Sequence, residues 1–282
     1  MTQILLCCDL DRTLLPNGSQ EESPGARPLF RRLAKRQELT LAYVSGRDKA
    51  LLQEAIHDYD LPLPDYAVGD VGTTIYEIHD GEWRPWKAWE EEIAPDWAGR
   101  RHDELSALFQ DIGALTLQES EKQNTFKLSY YAPMDIDRDA LLAEMDARLK
   151  RLDVRASLIW SIDEARHIGL LDVLPERATK YHAICFLMAH KDFNQANTVF
   201  AGDSGNDLPA LTSGLQAVLV RNACREVHDE ALHSVREKGI AQQLYIARGN
   251  FLDMNGNYAA GVLEGLVHFK PEVLHWLKGV SS

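Results

Sequence analysis

The sequence predicts an α/β fold, with a Rossmann-like parallel-sheet core that is interrupted by an inserted α+β domain. Near both ends of the chain, short apolar runs alternate with helical stretches, a pattern typical of a parallel sheet with crossover helices. The middle of the chain instead carries alternating polar and apolar residues, as in an antiparallel sheet with one wet face. The length of 282 residues suggests two domains at about 150 residues each.

The first part of the chain begins with an apolar run over residues 3–8 that ends in Asp9-Leu10-Asp11. A short continuous apolar run of this kind predicts a strand buried on both faces. The elements expected after it are a helix over 28–36, a strand over 39–44, a helix over 49–58 and a strand over 66–69. We therefore expect residues 1–86 to belong to the core.

The pattern changes after about Gly81, and we expect an inserted domain over residues 87–167. Its predicted elements are a helix over 95–110, a strand over 125–131, a helix to 152 capped by Asp137, and strands over 154–160 and 167–173. A cluster of tryptophans near its start, Trp83, Trp86, Trp89 and Trp97, is interpreted as core rather than as a sugar-stacking platform, because four large aromatic side chains need burial.

Strand and helix alternate again after the insert, so residues 168–282 are expected to complete the core. The predicted elements are a helix over 180–190, a strand over 198–201, a helical turn over 208–212, a strand over 217–220 and a last helix over 257–268. The loop over 248–256 has no assignable role from the sequence.

Composition limits the possible partners and the compartment. The net charge of −13 and the pI near 5.2 disfavour nucleic acid and anionic membrane surfaces as partners. The first residues do not resemble a signal peptide, and no apolar run is long enough for a spanning helix. The four cysteines show no metal-binding spacing, and the adjacent pair Cys7-Cys8 suggests buried thiols in a reducing cytoplasm.

Carboxylates follow two of the predicted strands. Asp9 and Asp11 follow the first strand, and Asp203 and Asp207 lie in the Gly202–Asp207 loop after the strand over 198–201. Ligands of open parallel sheets bind beyond the carboxyl ends of the strands. Carboxylates gathered there can bind a hard cation or divide nucleophilic and proton-transfer roles.

Two further segments supply groups that bind oxyanions. Ser45-Gly46-Arg47 follows the second strand and offers a hydroxyl, backbone amides and a guanidinium. Lys180 opens a helix and offers a point positive charge. Each feature alone is common in loops and helix caps. Because all four occur in order at strand ends or helix starts, the sequence predicts a magnesium-assisted phosphoryl-transfer site.

These segments resemble the four motifs of the haloacid dehalogenase superfamily: Asp9-Leu10-Asp11-Arg12-Thr13, Ser45, Lys180 and Gly202–Asp207. The insert is similar to the superfamily's type-two cap. Stretches such as Val71–Tyr76, Phe126–Tyr130 and Leu171–Pro175 resemble the sucrose-phosphate phosphatase branch. Ser45 stands where that branch often has Thr, which keeps the hydroxyl group.

The resemblance implies a role for each residue. It makes Asp9 the nucleophile that forms an aspartyl phosphate and Asp11 the acid and then the base. It implies that Mg²⁺ is bound by Asp9, the carbonyl of Asp11 and Asp203, with Asp207 in support. The groups expected to bind phosphate or substrate are Ser45, Gly46, Arg47, Lys127, Lys180 and Asn206. For Arg47, an ion pair with a carboxylate of the insert is the alternative.

The resemblance leaves several functions open. Sucrose 6-phosphate is the first candidate substrate, and another disaccharide or osmolyte phosphate, such as mannosylfructose phosphate, is the second. A phosphosugar mutase of the same superfamily and a catalytically inactive sugar-phosphate sensor are further alternatives. A sugar-phosphate synthase of the same pathway is a candidate partner. The sequence does not determine the oligomeric state.

Overall fold

The computed structural model describes residues 3–163 and 166–278 of the chain. The elements up to Pro85 are β1 (Ile4–Cys8), α1 (Ala26–Leu33), β2 (Leu39–Val44), α2 (Lys49–Asp58), β3 (Tyr66–Gly69), β4 (Thr74–His79) and β5 (Glu82–Pro85). Those that follow are α3 (Lys87–Ile93), α4 (His102–Ala107), β6 (Thr116–Leu117), β7 (Leu128–Ala132), α5 (Arg138–Lys150), β8 (Ala156–Asp163) and β9 (Ile168–Pro175). The remaining elements are α6 (Lys180–His190), β10 (Thr198–Gly202), α7 (Leu208–Leu211), β11 (Gln216–Leu219), α8 (Arg225–Glu237), β12 (Leu244–Ile246), α9 (Ala259–Phe269) and α10 (Val273–Lys278).

The chain divides into two compact units, and the second is inserted between two segments of the first. The structure is therefore a mixed α/β fold with an inserted domain. The first unit contains the described residues up to Pro85 and from Lys180 onwards, and the second contains those of Trp86–Thr179. No helix in the described part of the chain is long and apolar enough to cross a membrane.

The first unit is built on an eight-stranded sheet in the order β12-β11-β10-β1-β2-β3-β4-β5. The six strands from β12 to β3 are parallel to one another. β4 pairs antiparallel with β3, and β5 pairs antiparallel with β4. The central strands β1 and β10 are buried along their whole length, as their unbroken apolar sequences predict. The prediction of a parallel-sheet core with a strand buried on both faces is therefore confirmed.

The second unit is built on a four-stranded antiparallel sheet in the order β6-β7-β9-β8. Apolar side chains of one face of this sheet pack with α4 and α5 around Trp97, Phe109 and Met145. Asp137 caps α5 by accepting a hydrogen bond from the amide of Ala140, as the sequence predicted. Trp97 is fully buried and packs edge-on against Phe126, which agrees with a core role for this tryptophan.

The second unit ends later than the sequence suggested. The chain returns to the first unit at Lys180, whereas the sequence placed the return at residue 168. The strand that begins at Ile168, β9, lies in the middle of the four-stranded sheet between β7 and β8. Its sequence gives no sign of which sheet it joins, because both units contain apolar strands.

Two predictions about the start of the insert, one for a helix and one for a tryptophan, differ from the structure. The helix expected over 95–110 is broken, because Ala98 and Gly99 adopt positive φ angles of 50° and 75° that end a right-handed helix. A short 3-10 helix, Ala94–Trp97, precedes the break and α4 follows it. Trp83 lies on β5 and belongs to the first unit, where it packs edge-on against Tyr76.

Several elements of the first unit were not predicted. A hairpin joins β4 and β5 through Asp80 and Gly81, which have φ angles of 51° and 81°, typical of a two-residue turn. The helix expected to be the last, α9, is followed by α10. The loop over 248–256 is attached to α9 by Glu264, whose carboxylate accepts hydrogen bonds from the amides of Arg248 and Gly249 at 2.8 and 2.9 Å.

Candidate active site

Parallel pairing brings the first and fourth motifs to the same edge of the sheet. Cys8, the last residue of β1, lies opposite Ala201 of β10 on one side and Tyr43 of β2 on the other. The amide of Asp9 donates to the carbonyl oxygen of Ala201 at 2.9 Å. Asp9, Asp203 and Ser45 therefore follow neighbouring strand ends, where a parallel sheet gathers its functional groups.

Lys180, at the start of α6, connects the carboxylates of these loops. Its ammonium group lies 2.8 Å from Oδ1 of Asp9 and 2.8 Å from Oδ1 of Asp207, and it also donates to Oδ1 of Asn206 at 3.2 Å. Lys180, Asp9 and Asp207 are all buried. Charge-assisted hydrogen bonds of this length in a buried site hold the three side chains in one arrangement.

Asp207 has both of its carboxylate oxygens engaged by the protein. While Oδ1 accepts from Lys180, Oδ2 accepts from the amides of Asp203 and Ser204 and from the Ser204 hydroxyl at 3.0–3.1 Å. A Cβ atom at position 202 would lie 2.6 Å from Cγ of Asp207, so glycine is required there for this close approach. Asp207 therefore orients Lys180 and shapes the loop that carries Asp203.

Thr13 links the first and fourth motifs through its hydroxyl group. The hydroxyl lies 3.1 Å from Oδ1 of Asp203 and 3.4 Å from Oδ2 of Asp9, so it donates to the first and approaches the second. The guanidinium of Arg12 lies 3.6 Å from the other oxygen of Asp203. Oδ2 of Asp9 and the carboxylate of Asp203 therefore face each other across Thr13.

Asp11 is bound by an arginine of the second motif. Arg47 donates to both of its oxygens, at 2.6 and 2.8 Å, and Asn17 donates to one of them at 2.7 Å. β1 ends at Cys8, so both Asp9 and Asp11 lie beyond the strand, and the backbone turns at Arg12, with φ of 60°. The carboxylate partner of Arg47 is thus a residue of the first unit, whereas the alternative to ligand binding that the sequence offered was a carboxylate of the insert.

The remaining predicted residues lie in both units. Ser45 is buried directly after β2, and its hydroxyl oxygen accepts from the amide of Arg47 at 3.2 Å. Gly46 is exposed in the same loop. Lys127 belongs to the second unit, where it precedes β7 in a turn with Asn124 rather than lying on the strand itself. It is 7 % exposed, and among the described residues its ammonium group has no hydrogen-bond or ion-pair partner.

Burial and mutual repulsion shift the protonation of the cluster. Burial raises the pKa of Asp9 to about 7, although the ammonium of Lys180 opposes the shift. Burial and the charge of Asp207 raise the pKa of Asp203 to about 6. Burial disfavours the charged form of Lys180, but Asp9 and Asp207 outweigh it and hold the pKa of the ammonium above its ordinary value. The cluster is therefore poised to gain or lose protons near neutral pH.

Asp11 has the opposite electrostatic environment. Partial burial disfavours its charged form, but the hydrogen bonds from Arg47 and Asn17 outweigh this effect and hold the pKa of Asp11 below its ordinary value. Asp11 is therefore ionised in this arrangement at neutral pH.

The donor set fits a divalent cation such as Mg²⁺. Carboxylate oxygens of Asp9, Asp203 and Asp207 lie within 4.8 Å of one another, and all three residues are buried. Three carboxylates against the ammonium of Lys180 and the partly exposed guanidinium of Arg12 leave a net negative charge when all are ionised. Oxygen ligands and this charge suit a hard cation, and the oxygens that face each other are those of Asp9 and Asp203.

Sequence reasoning missed three residues that position the site. Thr13 lies in the first motif but was given no role, and Asn17 holds Asp11 and also accepts from the amide of Arg12 at 2.8 Å. Buried Asn222 donates to the carbonyl of Arg12 at 2.6 Å and accepts from the amide of Tyr258 at 2.8 Å. Asn222 comes shortly after β11, so its place at a strand end was the available signal.

Comparison with known proteins assigns this arrangement to a family. The model of the sucrose-6F-phosphate phosphohydrolase family matches residues 2–270. A protein of Nitrosococcus oceani that is described only as a HAD-like hydrolase is 59% identical over 276 residues, which are 98% of this chain and 74% of that protein. The mannosylfructose-phosphate phosphatase of Agrobacterium fabrum is 28% identical over 94% of this chain and 96% of its own length.

A solved structure supports the same assignment. The sucrose-phosphatase of Synechocystis sp. PCC6803, determined in complex with sucrose and phosphate, superposes with a TM-score of 0.69 at 26% sequence identity. The match covers 96% of this chain and 99% of that one. The chain is thus similar in fold to a phosphatase of known structure.

Proposed function

We propose that this chain, which belongs to the sucrose-6F-phosphate phosphohydrolase family of haloacid dehalogenase-like phosphatases and is a phosphoric monoester hydrolase, hydrolyses a sugar phosphate. Sucrose 6-phosphate is the first candidate substrate. The observation that carries the proposal is the buried cluster in which Lys180 binds Asp9 and Asp207 while Asp203 faces Asp9. Mannosylfructose phosphate is the second candidate, since a relative that matches along nearly its whole length is named for it.

Asp9 is proposed as the nucleophile. One oxygen of its carboxylate attacks phosphorus as the bond between phosphorus and the sugar oxygen breaks, while the hydrogen bond from Lys180 to Oδ1 holds the carboxylate in place. The result is an aspartyl phosphate and a sugar alcohol. Water then attacks the phosphorus of this intermediate, which releases inorganic phosphate and restores the Asp9 carboxylate. Dividing the hydrolysis into two displacements avoids a direct attack by water on the phosphate monoester.

Asp11 is proposed to carry the proton in both steps. It would give a proton to the leaving sugar oxygen and then take one from the attacking water. In the present arrangement Arg47 and Asn17 keep it ionised, which suits the second step. The first step requires that Arg47 release at least one oxygen of Asp11 and that this oxygen take up a proton from solvent, so we propose that the ion pair opens and Asp11 is protonated when substrate binds.

A bound Mg²⁺ would be held by Asp9, Asp203 and the carbonyl of Asp11, and would supply positive charge beside the phosphoryl group. Ser45, Gly46 and Lys180 would bind the phosphoryl oxygens, since a hydroxyl, a backbone amide and an ammonium stabilise the charge that these oxygens carry. Asn206 would keep the ammonium of Lys180 directed toward Asp9, because it accepts a hydrogen bond from the same nitrogen.

Lys127 is proposed to recognise the sugar phosphate from the second unit. A lysine that is 7 % exposed and has no partner within the described residues suits an anionic or hydroxyl-rich ligand, because burying an unpaired ammonium group is costly. Lys127→Ala is expected to raise KM for the sugar phosphate more than for a small aryl phosphate. Lys150→Ala, at an exposed lysine of the same unit, is the control. Equal effects of Lys127→Ala on both substrates would remove Lys127 from sugar recognition.

The decisive experiment is a phosphate-release screen with sucrose 6-phosphate, mannosylfructose phosphate, glucose 6-phosphate and an aryl phosphate, in Mg²⁺ and then in excess EDTA. We expect release of phosphate from one disaccharide phosphate in Mg²⁺, loss of activity in EDTA, and no turnover by a folded Asp9→Asn variant. Isomerised sugar phosphate without free phosphate would indicate a mutase. Binding without turnover across the panel would indicate a sensor.

The surroundings of the enzyme are also part of this proposal. A sugar-phosphate synthase that supplies the substrate is the candidate partner. A cytoplasmic location is proposed from the cysteines, of which Cys7 and Cys8 are buried as free thiols.

A further inference from the structure

The strand β8 forms an open sheet edge that lacks the features by which proteins protect such edges. It is eight residues long, and its last residue, Asp163, is its single charged one. The other edge strands are two or three residues long (β6 and β12) or contain Glu82, Arg84 and Pro85 (β5). Short length, charges and proline are the usual means of preventing edge-to-edge pairing, so β8 is the exception in this fold.

The side chains of β8 also leave apolar surface exposed. Ile159 is 40 % exposed and Ile162 is 48 % exposed. Leu158 and Trp160 pack against the core of the second unit but are only partly buried. A strand with exposed apolar side chains and a free backbone edge favours pairing with another strand.

The hydrogen-bonding pattern of the sheet identifies which backbone groups of β8 face outward. The amide of Gln118 donates to the carbonyl of Ser129, so the backbone groups of Ser129 face β6. Ser129, Asp172 and Ile159 lie side by side across β7, β9 and β8. Because hydrogen-bonded and non-hydrogen-bonded pairs alternate across antiparallel strands, the backbone groups of Ile159 face β9. Those of its neighbours along β8 face outward.

We propose that β8 pairs antiparallel with β8 of a second copy of this chain, about a two-fold axis at Ile159. In this register Leu158 lies opposite Trp160 of the other copy, and Ala156 lies opposite Ile162. All four have outward-facing backbone groups, so the pairing forms about eight backbone hydrogen bonds. The facing residues are all apolar and lie on the same face of the joined sheet, as cross-strand pairing requires.

Charge complementarity at the ends of β8 selects this register and a second copy as the occupant. Arg155, directly before the strand, lies opposite Asp163 of the other copy, and the symmetry repeats this pair at the other end. The side chain of Arg155 is 56 % exposed, although it also contacts Asp96, so the guanidinium can reach a second carboxylate. A shift of two residues in either direction removes both pairs. An isologous contact of this kind is the usual form of a homodimer.

The first test is the oligomeric state between about 1 and 100 µM, the range in which interfaces of modest affinity dissociate, measured by sedimentation velocity. We expect a dimer that dissociates on dilution, and loss of the dimer in Ile159→Lys, which places two ammonium groups opposite each other. Leu117→Lys, at an exposed apolar position on β6, is the matched control and should leave the dimer unchanged. A native protein that stays monomeric throughout this range overturns the proposal. In that case β8 either stays unpaired or pairs with a different protein.

The second test fixes the register by disulfide formation in a Cys224→Ser background, which removes the exposed native thiol. At a non-hydrogen-bonded pair the Cα atoms are about 4.5 Å apart, within the range of a disulfide. Ile159→Cys should therefore give a covalent dimer under mild oxidation, whereas Ile162→Cys should not, because residue 162 faces residue 156. Equal cross-linking of both variants, or of neither, contradicts the two-fold axis at Ile159. Neither test depends on the proposed phosphatase activity.

Discussion

Lys180→Met removes the ammonium group that binds Asp9, Asp207 and Asn206, while it keeps a side chain of similar length and volume. Asp9 and Asp207 then remain buried without the ammonium that binds them, while Asp203 keeps its contact with the guanidinium of Arg12. Removing one partner of a buried ion pair costs about 3–5 kcal/mol of folding free energy, because the other charge stays desolvated. We expect a loss of this size at pH 8, where the carboxylates are ionised.

The loss should be smaller at acid pH. In the native protein the pKa of Asp9 is about 7 against an ordinary value of 3.8, so the folded state binds more protons than the unfolded state between these values. The free energy of unfolding therefore falls as pH rises through this window. Without Lys180 the pKa of Asp9 rises further, so the fall continues above pH 7. At pH 5 we expect a loss of only about 1–2 kcal/mol, the cost of the missing hydrogen bonds.

The assay is urea unfolding of both proteins in EDTA at pH 5 and pH 8. Lys191→Met, which breaks a partly exposed pair of 2.9 Å with Glu77, is the control and should cost at most about 1 kcal/mol at both pH values. If Lys180→Met loses the same stability at pH 5 and pH 8, Lys180 does not compensate the charge of the carboxylates and the electrostatic argument for the site is wrong.

Three further perturbations test other contacts of the site. Arg47→Met should raise the pKa of Asp11, so the basic limb of the kcat/KM profile, which reports the acid that protonates the sugar oxygen, should move to higher pH; a lower rate without such a shift would mean that Arg47 contacts phosphate only. Gly202→Ala places a Cβ 2.6 Å from Cγ of Asp207 and should cost about 1–3 kcal/mol of stability. Gly205→Ala, which has open space, should change the Tm little, and equal losses would contradict the packing argument. The stabilisation by Mg²⁺ in thermal unfolding should increase from pH 5.5 to pH 8, because the two carboxylates of raised pKa must lose protons to bind the ion; a stabilisation that is independent of pH would argue against binding at these carboxylates.

The core of the site was predictable because its residues follow apolar strands. β1 and β10 are continuous apolar runs, and a parallel sheet places the residues after such strands at one edge. The positions of Asp9, Asp203 and Lys180 thus follow from local sequence and the chirality of βαβ connections. The Asp80-Gly81 turn was also predictable from the sequence, since this dipeptide is a standard hairpin signal.

Other contacts depend on residues that are distant in sequence. The pairing of Asp11 with Arg47 spans 36 positions and that of Asn222 with Arg12 spans 210. No local pattern specifies which of several nearby polar groups a side chain will choose. The choice depends on where the backbone turns after β1, and Arg12, with its positive φ, determines that turn.

The sequence by itself determined the class of fold, the strand ends that carry carboxylates and the order of the four motifs, because apolar periodicity and turn residues act over a few positions. Tertiary structure decided which sheet the strand after residue 167 joins, which carboxylate Arg47 binds and which strand is left with an open edge. These outcomes depend on the competition among all strands and side chains for partners, and that competition is resolved only when the whole chain has packed.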